Sequence, residues 1–179
     1  MSEEVTFDPD RSWASLEERI GRESDPRCRQ LLEQVRDHLR TEIGGDLPAL
    51  MATLVDEPGY HLWGLPVEAG PKGRAAVEEF YSQMIASGGH RFELDFRRIV
   101  VDHDAVVTEG VMYQRLPGSA LTVSGIAEVD GEPVDPDASY RAETQILTVW
   151  PMSAEGRIEG EDIYLGSPPL GKLTKLGDA

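Results

Sequence analysis

The sequence predicts an α+β protein in which helices come first and antiparallel strands follow. Two patterns carry this. Between residues 25 and 86, apolar residues recur at three- and four-residue spacing between capping and stop signals. From residue 91 onward, β-branched and alternating runs separated by turn residues take over. The length of 179 residues suits about one domain, and such a chain buries roughly 70% of its unfolded surface. We therefore expect a tail or short helix over 1–24 and a single α+β domain over 25–179, with an insertion at about 116–139.

Taken in order, residues 1–24 are polar with scattered apolar positions (Val5, Phe7, Trp13, Leu16, Ile20), and 12–21 is the stretch able to form a short helix. Asp25-Pro26 opens the first long helix, because Pro suits the first helical position after a capping Asp. Its apolar face is Cys28, Leu31, Leu32, Val35, Leu39 and Ile43, and Gly44-Gly45 stops it. Asp46 caps a second helix, LPALMATLVDE, which Pro58-Gly59 ends. YHLWG reads as a short strand and LPVEAGPKG as a loop. A third helix spans about Arg74 to Ala86, with Ala76, Val77, Phe80, Tyr81 and Met84 at core spacing and Gly88-Gly89 as its stop.

HRFELDFRRIVVDHDAVVTEGVMYQR then reads as two strands around a turn at Asp102-His103-Asp104. Within 116–139, LTVSGIAEVDGEPV suits a hairpin around Asp130-Gly131. YRAETQILTVW alternates as a strand, Ser153 to Gly156 turn, and RIEGEDIYLG closes the sheet. SPPLGKLTKLGDA is expected as a short helix or tail.

Composition narrows the function classes. The formal net charge is −16, from 33 acidic and 17 basic residues, which disfavours nucleic acid and anionic membranes as partners. No apolar run reaches the ~20 residues of a membrane span. The opening MSEEVTFDPD has no apolar signal core, so a cytoplasmic location is the expectation. Cys28 is the one cysteine, which rules out an internal disulfide and a cysteine-based zinc cluster. There is no asparagine, hence neither an N-glycosylation acceptor nor a catalytic Asn.

The order helix–Asp46–helix, Tyr60 in a first strand, G-R-A-A-V-E-E-F-Y opening the third helix, then VVTEGVMYQRLPG and GRIEGEDIY resembles the nuclear transport factor 2-like superfamily over about residues 25–176. The resemblance implies a cone: a curved, mostly antiparallel sheet wrapped around three helices of the N-terminal half, the cystatin-like α+β barrel. It is nearest to the branch of limonene-epoxide hydrolases, SnoaL-like cyclases and ketosteroid isomerases, which implies a mostly apolar pocket at the open end, a homodimer through the convex sheet face, and no cofactor or metal.

The family's catalytic groups carry over poorly. The epoxide hydrolases have a Tyr-x-Asn pair in the first strand; here Tyr60 matches and Leu62 takes the Asn position. Gly110 and Met112 stand where their Arg-x-Asp pair would be. Their last-strand Asp falls on Ile163, or on Asp162 after a slip of one residue. Opening an epoxide requires an acid for oxygen and a base for water, so hydrolysis by that Arg-Asp-Asp mechanism is not expected. The ketosteroid isomerase base falls on Gly64 and its helix-one Tyr on His38; the cyclase Asp falls on Gly166.

The remaining candidates for acid–base work are Tyr60, Asp162 and His38. Tyr60 is either a pocket donor or a satisfied core hydroxyl. His38 is either a proton shuttle or a boundary histidine with one backbone partner. Among the strand acids Glu109, Glu143, Glu161 and Asp162, only Asp162 lies near a family catalytic position, and a solvated sheet face is expected for most of the others. Leu62, Met84, Met112, Gln114, Ile163 and Tyr164 are the candidate ligand-binding positions. Asp102, His103 and Asp104 are sequential in a turn, where side chains rarely converge on a metal. The insertion serves either as a lid over the pocket mouth or as an interface. Two readings follow: a cofactor-independent isomerase, cyclase or hydrolase-like enzyme acting on a small, largely apolar molecule, or a non-catalytic ligand-binding or dimerisation module.

Overall fold

The computed structural model describes residues 6–64 and 69–177. Residues 1–5 of the expected tail, 65–68 of the expected loop and 178–179 lie outside the described residues.

A short 3-10 turn, Pro9–Arg11, leads into helix α1, Ala14–Arg22. Leu16 and Ile20 are buried on its inner face. The segment is tied to the sheet by backbone partners: Leu94 N–H donates to Ser12 Oγ at 2.9 Å, and the Asp8 amide donates to the Glu93 carboxylate at 2.7 Å. Helix α2, Pro26–Gly44, starts on an Asp25 side chain that accepts from the Cys28 amide at 2.9 Å. The six apolar residues at helical spacing are all buried, and His38 and Glu42 share their face.

Asp46 caps helix α3, Leu47–Ala52, accepting from Ala49 N at 3.1 Å. This helix is shorter than the eleven-residue run the sequence offers. Leu54 bridges to Ile158 and the Val55 amide donates to Ile158 O at 3.0 Å, so the chain is already committed to the sheet there. Strand β1 is His61–Trp63, and helix α4 is Arg74–Ala86, within the range expected.

The long strands are β2, Phe92–Val101, and β3, Ala105–Pro117. The Asp102 carboxylate tightens their connection by accepting from Asp104 N and Ala105 N, both at 2.9 Å. The expected hairpin segment divides into helix α5, Gly118–Val123, and a two-residue pair, β4 (Glu128–Val129) with β5 (Glu132–Pro133). The turn between them holds Asp130 at φ +53 and Gly131 at φ +81, the geometry a two-residue hairpin favours. Leu121, buried in a second small apolar cluster with Val129 and Tyr140, keeps the first part helical.

Strand β6, Ser139–Pro151, pairs with β3 along its whole length. Strand β7, Asp162–Leu165, pairs antiparallel with β6 and parallel with β1. The chain then forms strand β8, Lys172–Lys175, paired with Tyr140–Glu143 of β6. This corrects the expected helix or tail: Leu173 packs against the second cluster and Leu176 is buried, so the end is held as a strand.

The sheet order is β1-β7-β6-β3-β2, with β8 on β6. It is a curved, unclosed sheet packed against the helices, and the main core lies between them. Among the described residues, α2, α3 and α4 are the three expected helices, and α1, which docks on α2 and β2, takes the place of the short helix the stretch 12–21 is able to form. Among the described residues, no helix is long and apolar enough to cross a membrane.

Candidate active site

A cavity of about 260 Å³ opens between the helices and the concave side of the sheet. That is at or below the ~300–1,000 Å³ of pockets for drug-sized ligands. Its walls are apolar and aromatic. Leu62, Met84, Met112, Gln114 and Ile163 line it and are half-buried, with Phe80 exposed at the rim. Thr108 and Thr148 face it from β3 and β6, and the Thr108 hydroxyl accepts from Trp150 Nε1 at 3.0 Å.

At the deep end lies a compact polar group: His38 and Glu42 on α2, Tyr60 before β1, Tyr81 on α4 and Glu161 before β7. The Thr53 hydroxyl donates to Leu50 O at 2.6 Å, so it meets His38 Nδ1, 2.7 Å away, as an acceptor. The hydrogen on Nδ1 is thereby assigned, and Nε2 is the nitrogen turned towards the rest of the group. Nε2 is 3.1 Å from the Tyr81 hydroxyl, 3.3 Å from Glu161 Oε1 and 3.7 Å from Glu42 Oε2. Tyr81 donates to Glu161 Oε1 at 3.0 Å, and its oxygen is 2.8 Å from the Tyr60 hydroxyl. His38 is fully buried behind this group and packs edge-on to Trp150, rather than lining the cavity itself.

Glu42 differs from its neighbours. It is 7% exposed and lines the cavity. Its carboxyl has no hydrogen-bond partner among the described residues, only the 3.7 Å approach of His38. Burial, and then the charge of Glu161, push its pKa well above the usual carboxylate range. Its protonated form therefore persists where an ordinary glutamate is ionised. Burial, followed by the nearby Glu161 charge, also raises both Tyr60 and Tyr81, which keeps the phenols neutral.

Local backbone explains how Tyr60 and Glu161 meet. Gly59 N–H donates to Glu159 O at 2.9 Å and His61 N–H to Glu161 O at 2.8 Å, so the segment before β7 runs alongside the start of β1. Gly160 sits at φ +154, and a Cβ there would lie 1.9 Å from Gly59 O. Only glycine permits this approach.

Of the candidates read from the sequence, Tyr60 and His38 come together in this group. Asp162 does not. In β7 successive side chains alternate: Glu161, Ile163 and Leu165 face the cavity, while Asp162 and Tyr164 face away. Tyr164 is 44% exposed and stacks on Trp63. The acid of this segment that faces the cavity is thus Glu161, and Tyr164 does not line it. Glu42 and Tyr81 were passed over. The signal for Glu42 is its place four residues after His38, inside the stripe made by Leu39 and Ile43.

The strand position that the resemblance aligns with the epoxide hydrolase arginine is closed as well as empty. Gly110 lies opposite an irregularity in β2 between Phe96 and Arg98, and a Cβ on it would fall 2.1 Å from Asp95 O. None of residues 116–139 lines the cavity, so the insertion is not a lid in this conformation.

Among the described residues, two sets of three side chains each bring their ligand atoms within 4.8 Å of one another: Asp25, Cys28 and His103, and His38, Glu42 and Glu161. In the first, burial and then the Asp25 charge raise the Cys28 thiol above its ordinary pKa, which opposes the thiolate a metal needs. In the second, the Tyr81 hydroxyl already joins His38 to Glu161.

No family model matches the sequence, and no curated protein matches it. Solved structures do match. SalBIII, described as an epoxide hydrolase/cyclase-like enzyme with a role in pyran ring formation in the polyether salinomycin, aligns over 81% of this chain and 95% of its own, with 14% identity and a TM-score of 0.55. A Mycobacterium tuberculosis LEH-like epoxide hydrolase aligns over 78% of this chain and 85% of its own, with 19% identity and a TM-score of 0.54. A nuclear transport factor 2-like protein from Mesorhizobium loti aligns over 81% and 98%, with 16% identity and a TM-score of 0.54. The chain has the nuclear transport factor 2-like fold.

Proposed function

We propose that the cavity is a cofactor-independent acid–base site for a small, largely apolar molecule, of isomerase, cyclase or hydrolase-like type. Glu42 is the proton donor, and the His38–Glu161 pair is the proton acceptor, with Tyr60 and Tyr81 relaying and fixing its hydrogen bonds. The observation that carries this is the buried Glu42 carboxyl, which makes no hydrogen bond among the described residues, lining an apolar cavity beside a second carboxyl that lies 3.3 Å from the same histidine ring. A carboxyl whose pKa is raised by burial and by a neighbouring carboxyl is a group acid–base enzymes use as a proton donor. The epoxide hydrolase and cyclase chemistry attached to two of the structural neighbours is of the kind such a pair performs. Pairing of two copies through the outer sheet face goes with this reading; Trp63, Val100 and Tyr164 are exposed large apolar residues there.

The test is turnover of a panel of small epoxides and epoxy-alcohols, followed by chromatography. Glu42→Gln and Glu161→Gln should each lower the rate by ~10²-fold or more, while Asp162→Asn should stay within about twofold, because that side chain faces away from the cavity. A wild-type protein that turns over none of the panel, or turnover indifferent to both glutamates, would favour the second reading, a non-catalytic ligand-binding or dimerisation module. The closed position at Gly110 is the observation on that side.

A further inference from the structure

We propose that the ligand this cavity selects is an organic cation, a small apolar amine whose ammonium group sits between Glu42 and Glu161. This rests on the reading of the cavity as a ligand site and adds the charge of what enters it.

Three features point to a cation. First, among the described residues the ionisable side chains lining the cavity are two glutamates and two tyrosines, with no lysine or arginine. The ligand-offering oxygens of Glu42 and Glu161 lie within 4.8 Å of one another. One nitrogen can reach both at charge-assisted distances of about 2.7–2.9 Å. Second, Glu42 is buried, lines the space and makes no hydrogen bond among the described residues, its one ionic contact being the 3.7 Å approach to His38 Nε2. A neutral oxygen would satisfy its one proton and leave Glu161 as it is. An ammonium group supplies donors to both carboxyls. Third, rings surround the space: Tyr60, Phe80, Tyr81, Phe96 and Trp150. Aromatic faces attract a cation that has been stripped of water. The formal charge of −16 adds a long-range attraction of the same sign.

The proton balance is definite. With Glu42 protonated, binding of RNH3+ breaks the Glu42 O–H bond and releases one proton to solvent. Binding of the free amine RNH2 transfers that proton from the Glu42 oxygen to the nitrogen. The groups that face Glu42 are His38 on its own helix, Tyr81 on α4, Tyr60 before β1 and Glu161 before β7. Strands β2, β3 and β6 face the cavity only with apolar residues, threonines, Trp150 and Gln114. The titration coupled to cation binding is therefore that of Glu42.

The experiment is calorimetric titration of the whole protein with benzylamine and with benzyl alcohol, at about pH 6 and about pH 8, in buffers of different ionisation enthalpy. Benzylamine should bind at least tenfold more tightly than the alcohol at the higher pH. Its affinity should rise by up to ~10-fold per pH unit while one proton is released. Glu42→Gln should abolish the proton release and flatten the pH dependence. If that variant does not fold, the wild-type contrast between amine and alcohol decides alone. Equal or tighter binding of the alcohol at both pH values, or no binding of either, overturns the proposal. Turnover of neutral epoxides with no amine preference would overturn it too, while leaving the acid–base reading standing.

Discussion

The Tyr81 hydroxyl lies 3.1 Å from Nε2 of His38 and joins helix α4 to helix α2 at a point where both side chains are buried. The same oxygen donates to Glu161 and meets Tyr60. Tyr81→Phe therefore strips three groups of a partner at once and should cost about 1–3 kcal/mol. Tyr60→Phe removes the contact with Tyr81 and a lesser one with Glu161 and should cost about 0.5–1.5 kcal/mol. Urea unfolding of both variants ranks them; Tyr60→Phe as the costlier change would contradict this order.

Thr53 sets the histidine. Its hydroxyl is spent on Leu50 O, so it can only accept from Nδ1. Thr53→Val leaves a buried N–H without an acceptor and should destabilise by about 1–3 kcal/mol, whereas Thr53→Ser should recover most of this. The ¹⁵N shifts of the His38 ring should show hydrogen on Nδ1 in the wild type and a changed proton distribution in the valine variant. An unchanged ring signature would mean that Thr53 does not hold the tautomer.

Glu42 makes the protein less stable as pH rises. Its folded-state pKa is raised by burial and by Glu161. Above the unfolded value the unfolded chain releases the proton while the folded chain keeps it, so the unfolded state binds fewer protons. Stability then falls with pH by about 1.4 kcal/mol per unit, from just above the ordinary glutamate range until Glu42 ionises in the folded protein. In Glu42→Gln that component should vanish. Denaturation midpoints at about pH 5, 6 and 7 test this, and parallel slopes for the two proteins would contradict it.

Much of the fold was legible in the sequence because its signals are local. Asp25-Pro26, Asp46, and the spacing of Val77 and Tyr81 act within a turn or two of themselves, and the helices start where these residues say. The site was less legible because its signals are distant. Nothing near Glu42 in Arg-Thr-Glu-Ile tells that Tyr81 and Glu161 will close over it. The sides of β7 were ambiguous for the same reason, since Glu161-Asp162-Ile163-Tyr164 offers one acid to each face. The pairing of His61 with Asp162 decides between them, and that pairing joins residues a hundred positions apart. The helix in the insertion was hidden by β-branched residues, and Leu121 takes its place there through contacts with Tyr140.

Gly160 should tolerate no side chain. Alanine there meets Gly59 O and forces a strained φ on the residue before Glu161. A loss of roughly 2–5 kcal/mol is expected. Gly21, where a Cβ meets nothing within 4 Å, is the control, and its alanine variant should be at least as stable as the wild type. Comparable thermal midpoints for the two alanine variants would refute the tight-approach argument.

The parallel pairing of β1 with β7 has a consequence for how the molecule comes into being. Tyr60 and Glu161 are brought together across the whole intervening sheet, since a parallel pair requires a long crossover. A nascent chain that ends before residue 161 has His38 and Glu42 but lacks the strand that completes their surroundings. The polar group of the cavity is therefore a long-range construction, complete only where β7 lies in register beside β1.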